Sequence, residues 1–98
     1  MKFLICNGSL TPSNESNTFT LCEMVKLAFE KLNHECEIVT IRDLKYTPGT
    51  KDFDDDMRTL INKMFKVDGV IFATPIWWGI QSSYIQAVIE RMDFIDSW

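Results

Sequence analysis

Three short runs of β-forming residues alternate with three longer stretches of helical period, and that alternation is the strongest constraint the chain carries. The β-rich runs are residues 3–6 (Phe3, Leu4, Ile5, Cys6), 36–41 (with Ile38, Val39 and Ile41) and 70–74. Between and after them, apolar residues recur three and four apart. Leu21, Met24, Val25, Ala28 and Leu32 form one stripe, Met57, Leu60, Ile61 and Met64 a second, and Ile85, Val88, Ile89 and Met92 a third. Ser16 or Asn17 is placed to cap the first helix, and Asn33-His34 to end it. Asp54, Asp55 and Asp56 open the second helix, where carboxylates favour the positive end of the dipole, and Ser82 or Ser83 caps the third. A β-α-β-α-β-α order with crossovers this long predicts an α/β fold with a parallel sheet and right-handed connections.

Residues 1–98 are expected to belong to a single domain, and a hydrophobic content of 46% is that of a globular chain. The net charge of -4 argues against nucleic acid and against an anionic membrane surface, since both demand a basic face. Apolar runs are far too short to span a bilayer. Lys2 is followed by only four apolar residues before Asn7 and Gly8, a stretch that does not read as a signal peptide. Cys6, Cys22 and Cys36 are odd in number and lack CxxC spacing, so they are expected to be reduced thiols in a cytoplasmic protein, with no metal site.

Two loops can carry chemistry. The first, residues 7–18, is dense in turn formers and opens a helix, so its backbone N–H groups and the helix dipole suit a phosphate. Ser9, Thr11, Ser16, Asn17 and Thr18 add side-chain donors without formal charge. The loop is neither a Walker A sequence nor a GxGxxG fingerprint. A Cys-x5-Arg phosphatase loop starting at Cys6 would need arginine where Pro12 stands, so Cys6 is read as a core residue. A capped turn without ligand is the alternative for this loop.

The second loop holds Pro75, Ile76, Trp77, Trp78 and Gly79 at the carboxyl end of the third β-rich run. Paired tryptophans there can be core plugs, a dimer contact or a stacking platform for a flat heterocycle. In a strand order 2-1-3, strands 1 and 3 are neighbours and their loops emerge side by side. A ligand with a phosphate at one end and an aromatic ring at the other would span them. Flavin mononucleotide (FMN) has that shape.

These residues also resemble a family. Gly8-Ser9-Leu10-Thr11 with Ser16-Asn17-Thr18 is similar to the phosphate loop of flavodoxin-like NAD(P)H-dependent FMN reductases and quinone oxidoreductases. Thr74-Pro75-Ile76-Trp77-Trp78-Gly79 resembles that family's loop beside the isoalloxazine. Asp55-Asp56-Met57, Asp68-Gly69-Val70-Ile71 and Ala87-Val88-Ile89-Glu90-Arg91 match further segments, so the likeness runs over essentially the whole chain. The resemblance implies a flavodoxin-like three-layer sandwich with strands 2-1-3 of the order 2-1-3-4-5. By the same resemblance, Ser9, Ser16, Asn17 and Thr18 would hold the FMN phosphate, and Pro75, Ile76, Trp77, Trp78 and Gly79 would line the ring. It implies hydride transfer from NAD(P)H to FMN and onward reduction of a quinone-like acceptor. No side-chain acid, base or nucleophile is singled out, because in such enzymes the cofactor carries the chemistry.

The chain departs from the family at two points. The family's phosphate-loop arginine is Thr11 here, and Glu15 lies inside the loop. A carboxylate about 4 Å from a phosphate charge would cost about 4 kcal/mol at an effective dielectric near 20, so Glu15 is expected to point outward. The second departure is that three strands are present where the fold uses five. The expectation is an N-terminal part of a longer domain, or a sheet whose open edge is completed in a homo-oligomer. The rival functions are a non-catalytic flavodoxin-like piece that associates through that edge, and a flavodoxin-type electron carrier. His34 is expected at a helix end rather than in a metal site, and Tyr46 as a packed loop residue.

Overall fold

In the computed structural model, residues 1–10, 17–46, 55–75 and 82–92 are described. Three parallel strands, β1 (Lys2–Asn7), β2 (Glu35–Thr40) and β3 (Gly69–Ala73), lie in the order β2-β1-β3. Helices α1 (Asn17–Lys31), α2 (Asp56–Met64) and α3 (Ser83–Met92) complete a flavodoxin-like three-layer arrangement, with a 3-10 turn, Ile41–Asp43, after β2. Cys6 registers with Val39 on one side and Phe72 on the other. β1 is thus the central strand, and its Leu4, Ile5 and Cys6 are almost wholly buried. That is why it reads as a continuous apolar run rather than an alternating one.

Alternation along β1 divides the two faces of the sheet. Leu4 and Cys6 join Ile41, Met57, Leu60, Ile61, Ile85 and Val88 in one hydrophobic core beneath α2 and α3. Phe3 and Ile5 face α1, where Phe3 stacks on Phe29 with ring centroids 4.4 Å apart and planes at 16°. Gly69, opposite Phe3 in the register, makes room for that ring: a Cβ there would sit 2.8 Å from Phe3 Cδ1.

The helix ends follow their sequence signals. Asn33 adopts φ 66°, with its N–H donating to the Glu30 carbonyl and the His34 N–H to the Phe29 carbonyl, which closes α1 in a Schellman motif. His34 then edges against Phe3 and Phe29 at that helix end. Asp55 caps α2, its Oδ1 accepting from the Arg58 N–H at 3.0 Å. Tyr46 packs against the core beside α2 and α3, as expected of a loop plug.

Two helical stripes differ from their sequence reading. In α1 Cys22 is buried and Phe19, Val25 and Phe29 are among the partly buried positions, whereas Leu21, Met24 and Ala28, and Leu32 just after the helix, are exposed. The apolar band of α1 is wider than the surface the sheet offers it, and none of the described elements lies over the remainder. In α3, Ile89 is exposed and Arg91 takes a buried position instead. The reason is an ion pair. Arg91 makes a bidentate contact with Asp55, Nη1 to Oδ1 at 2.8 Å and Nη2 to Oδ2 at 2.9 Å, tying α3 to the start of α2.

Candidate functional site at the carboxyl ends of the strands

The carboxyl ends of all three strands are joined by side chains that ordinarily sit in turns. Asn7, fully buried at the end of β1, donates through Nδ2 to Thr40 Oγ1 of β2 at 3.3 Å. Its Oδ1 accepts from the Ser9 N–H at 3.2 Å, which bends the chain out of the strand and fixes the start of the first loop. The Gly8 N–H donates to the Ala73 carbonyl at 2.7 Å, extending the β1–β3 ladder one residue beyond the strands. On the β3 side, Thr74 Oγ1 accepts from the Ser82 N–H at 2.8 Å and donates to the Pro75 carbonyl at 3.0 Å. Ser82 Oγ in turn accepts from the Ile85 N–H and caps α3. The α3 N-terminus and the loop after β1 therefore meet over the β1–β3 junction.

The residues expected to form the site fall into two sets. Ser9 is buried at this junction, Asn17 is the exposed first residue of α1, Thr18 is half-buried one position on, and Pro75 is half-buried after β3. Thr11, Ser16, Ile76, Trp77, Trp78 and Gly79 lie outside the described residues, as does Glu15. Thr18 also lines an open groove of about 350 Å³ between α1 and β3, with Leu21, Cys22, Ile71, Ala73 and Thr74 along its walls. A smaller cavity of about 270 Å³, lined by Leu44, Thr59 and Lys63 among others, lies between β2 and α2, away from these loops.

Sequence reasoning passed over Asn7, Thr40 and Ser82 as members of one network. The available signal was a polar residue closing each apolar run, which becomes informative only once the strand order is known. It also passed over Arg42. That residue stands in the 3-10 turn after β2, and its Nη1 donates to the Leu10 carbonyl in the first loop.

The thiols play a packing part here. Burial pushes the Cys6 thiol up to about 12, with Cys22 adding to the shift, so Cys6 is protonated in the core and is no nucleophile. Burial raises Cys22 and Cys36 as well.

Comparison with known proteins places this geometry. A family model described as NADPH-dependent FMN reductase matches residues 1–98. An iron-sulfur flavoprotein of Archaeoglobus fulgidus is 29% identical over 100 residues, an alignment covering 93% of this chain and 48% of that protein. An iron-sulfur flavoprotein of Methanocaldococcus jannaschii is 26% identical over 101 residues, covering 93% and 51%. The chain thus spans about half the length of the curated relatives it matches. Among solved structures, RosB with the bound intermediate 8-demethyl-8-formylriboflavin-5'-phosphate superposes with a TM-score of 0.82 at 26% identity, covering 98% of this chain and 43% of that one. A flavone reductase superposes with a TM-score of 0.78 at 23% identity, covering 94% and 30%, and so shares the fold. With a family model matched end to end on a sheet of order 2-1-3, the chain belongs to the NADPH-dependent FMN reductase family.

Proposed function

We propose that this chain supplies the FMN-binding half of a flavin-dependent oxidoreductase that takes hydride from NAD(P)H and reduces a quinone-like small molecule. The observation that carries the reading is the register of β1 against β3. Because these strands are hydrogen-bonded parallel neighbours, the hydroxyl-rich loop and the loop of the paired tryptophans leave the sheet side by side. Ser9, Thr11, Ser16, Asn17 and Thr18 would hold the phosphate through hydroxyl and amide donors and the first turn of α1. Pro75, Ile76, Trp77, Trp78 and Gly79 would line the ring. The described members of this donor set fit a flavin phosphate: Ser9 is held at the loop start by Asn7, and Asn17 and Thr18 sit on the opening turn of α1. When bound, FMN supplies a two-electron acceptor, and the chain's own residues bind it, orient it and shield it from water.

The iron-sulfur cluster in the names of two relatives finds no ligand set in these 98 residues. Such clusters are held by four cysteine thiolates, and the chain has three cysteines, on three different elements. Two of them are buried in packing. Among the described residues no group of three His, Cys, Asp or Glu side chains converges on a metal site.

One structural feature favours a second reading of the 98 residues taken by themselves. Among the described residues β3 is an edge strand, the exposed Leu21 of α1 lines the groove beside it, and Met24 of the same helix is exposed as well. Surfaces of this kind recruit further strands or partners, and self-association into a homo-oligomer is the form we propose. Titrating FMN with the protein and following flavin fluorescence tests the principal reading. Saturable quenching is expected, followed by oxidation of NADPH when a quinone is added to the loaded protein. Quenching without NADPH oxidation would make the protein an electron carrier, and no saturable quenching would remove the flavin site.

A further inference from the structure

The phosphate end of the proposed site has no cation of its own in the sequence: no lysine or arginine lies between Asn7 and Thr18. Neutral donors and a helix dipole alone would face a phosphate of nearly two negative charges. Yet the structure brings a guanidinium to this loop from another strand. Arg42 follows β2 in the 3-10 turn Ile41–Asp43, and its Nη1 donates to the Leu10 carbonyl. That turn is held at the carboxyl edge by the contact of Thr40 with Asn7, the same residue that accepts from the Ser9 N–H. Arg42 and Ser9 thus both bear on the start of one loop, and Asn7 links the two.

We propose that Arg42 is the cation of the flavin phosphate site, replacing in space the arginine that the loop lacks in sequence. This rests on the reading that FMN binds at the ends of β1 and β3. A guanidinium is suited to the task, since its donors lie in one plane on a fixed fork. One N–H is spent on the Leu10 carbonyl, which fixes the head group at the loop. Further N–H groups of the same plane remain for phosphate oxygens. Arg42 is itself exposed and carries no other hydrogen bond among the described residues, so its charge is not already committed to a carboxylate. Phosphate recognition of this kind uses charge-assisted hydrogen bonds, which are the stronger class.

The test compares FMN with riboflavin, which has the same ring and no phosphate, on the wild-type protein and on Arg42→Ala and Arg42→Lys. Wild type is expected to favour FMN. Arg42→Ala is expected to weaken FMN by about tenfold to a hundredfold, the range of a lost charge-assisted contact, while riboflavin affinity stays where it was. Arg42→Lys keeps a point charge and recovers part of the preference. Added salt weakens FMN binding to the wild type more than to Arg42→Ala. An equal loss for both flavins would overturn the proposal, since Arg42 would then only pin the Leu10 carbonyl and hold the loop. A wild type that binds riboflavin as tightly as FMN would also overturn it, while leaving the flavin site standing. Failure of the wild type to bind either flavin would remove the site itself.

Discussion

Replacing Asp55 with Asn is expected to lower the unfolding free energy by about 3 kcal/mol, although it changes the size of the side chain hardly at all. Asn is as good a cap for α2 as Asp, so the cap on the Arg58 N–H survives. What is lost is the charge opposite Arg91, a guanidinium left only 1% exposed in the core edge between α2 and α3. A buried cation that loses the carboxylate opposite it cannot recover its hydration, and the cost falls on folding. Asp55→Ala should cost about 1 kcal/mol more, the worth of the cap. The double variant Asp55→Asn/Arg91→Met should regain much of the loss, because removing both charges is far cheaper than removing one. Urea unfolding of the three variants reads the effect. If Asp55→Asn were as stable as wild type, the ion pair would not be the tie between the helices.

Gly8→Ala is the second large effect, and here the demand is for space. A Cβ at position 8 would stand 2.3 Å from Ile85 Cγ1, 2.8 Å from Ile85 Cδ1 and 2.9 Å from Ser82 Oγ. No real contact is that short, so either the first loop or the N-terminus of α3 must move. Overpacking of this kind costs about 1–3 kcal/mol, and the displacement falls on two elements of the proposed site. We expect Gly8→Ala to lose stability in that range and to weaken FMN binding by at least about tenfold, the worth of a single misplaced contact. The partner variant Ile85→Ala opens the space the new methyl needs. Combined with Gly8→Ala it should cost less than the two single changes added together. Strict additivity would mean that the glycine is not held by Ile85.

The architecture was legible because its signals are periodic. Four consecutive apolar residues at 3–6 could bury only in the middle of a parallel sheet, and β1 is the central strand. Asn33 marked the end of α1 because asparagine tolerates the left-handed conformation it adopts there. Arg91 was hidden for the opposite reason. A charged residue in a helical stripe reads as solvent-facing, and the carboxylate that faces it, Asp55, lies 36 residues earlier. Leu21, Met24 and Leu32 misled in the other direction, since periodicity registers that a face is apolar and not what covers it. In the proposed site, Ser9 and Thr18 drew attention through their hydroxyls beside a helix start. Arg42 was not, because it reaches the loop across strand order rather than along the chain. The tryptophan loop was the plainest signal of all in the sequence, and Thr74 ties together the residues on either side of it, Pro75 and Ser82.

The most direct test of a flavin site at the carboxyl ends of β1 and β3 is an amide chemical-shift titration of the labelled protein with FMN. The account predicts saturable shifts at Gly8, Ser9, Asn17, Thr18 and Thr74, with Lys2, His34 and Asp68 at the opposite end of the sheet unmoved. Shifts confined to Leu44, Thr59 and Lys63, around the cavity between β2 and α2, would contradict it. So would a titration in which no amide at the strand ends responds to FMN at all.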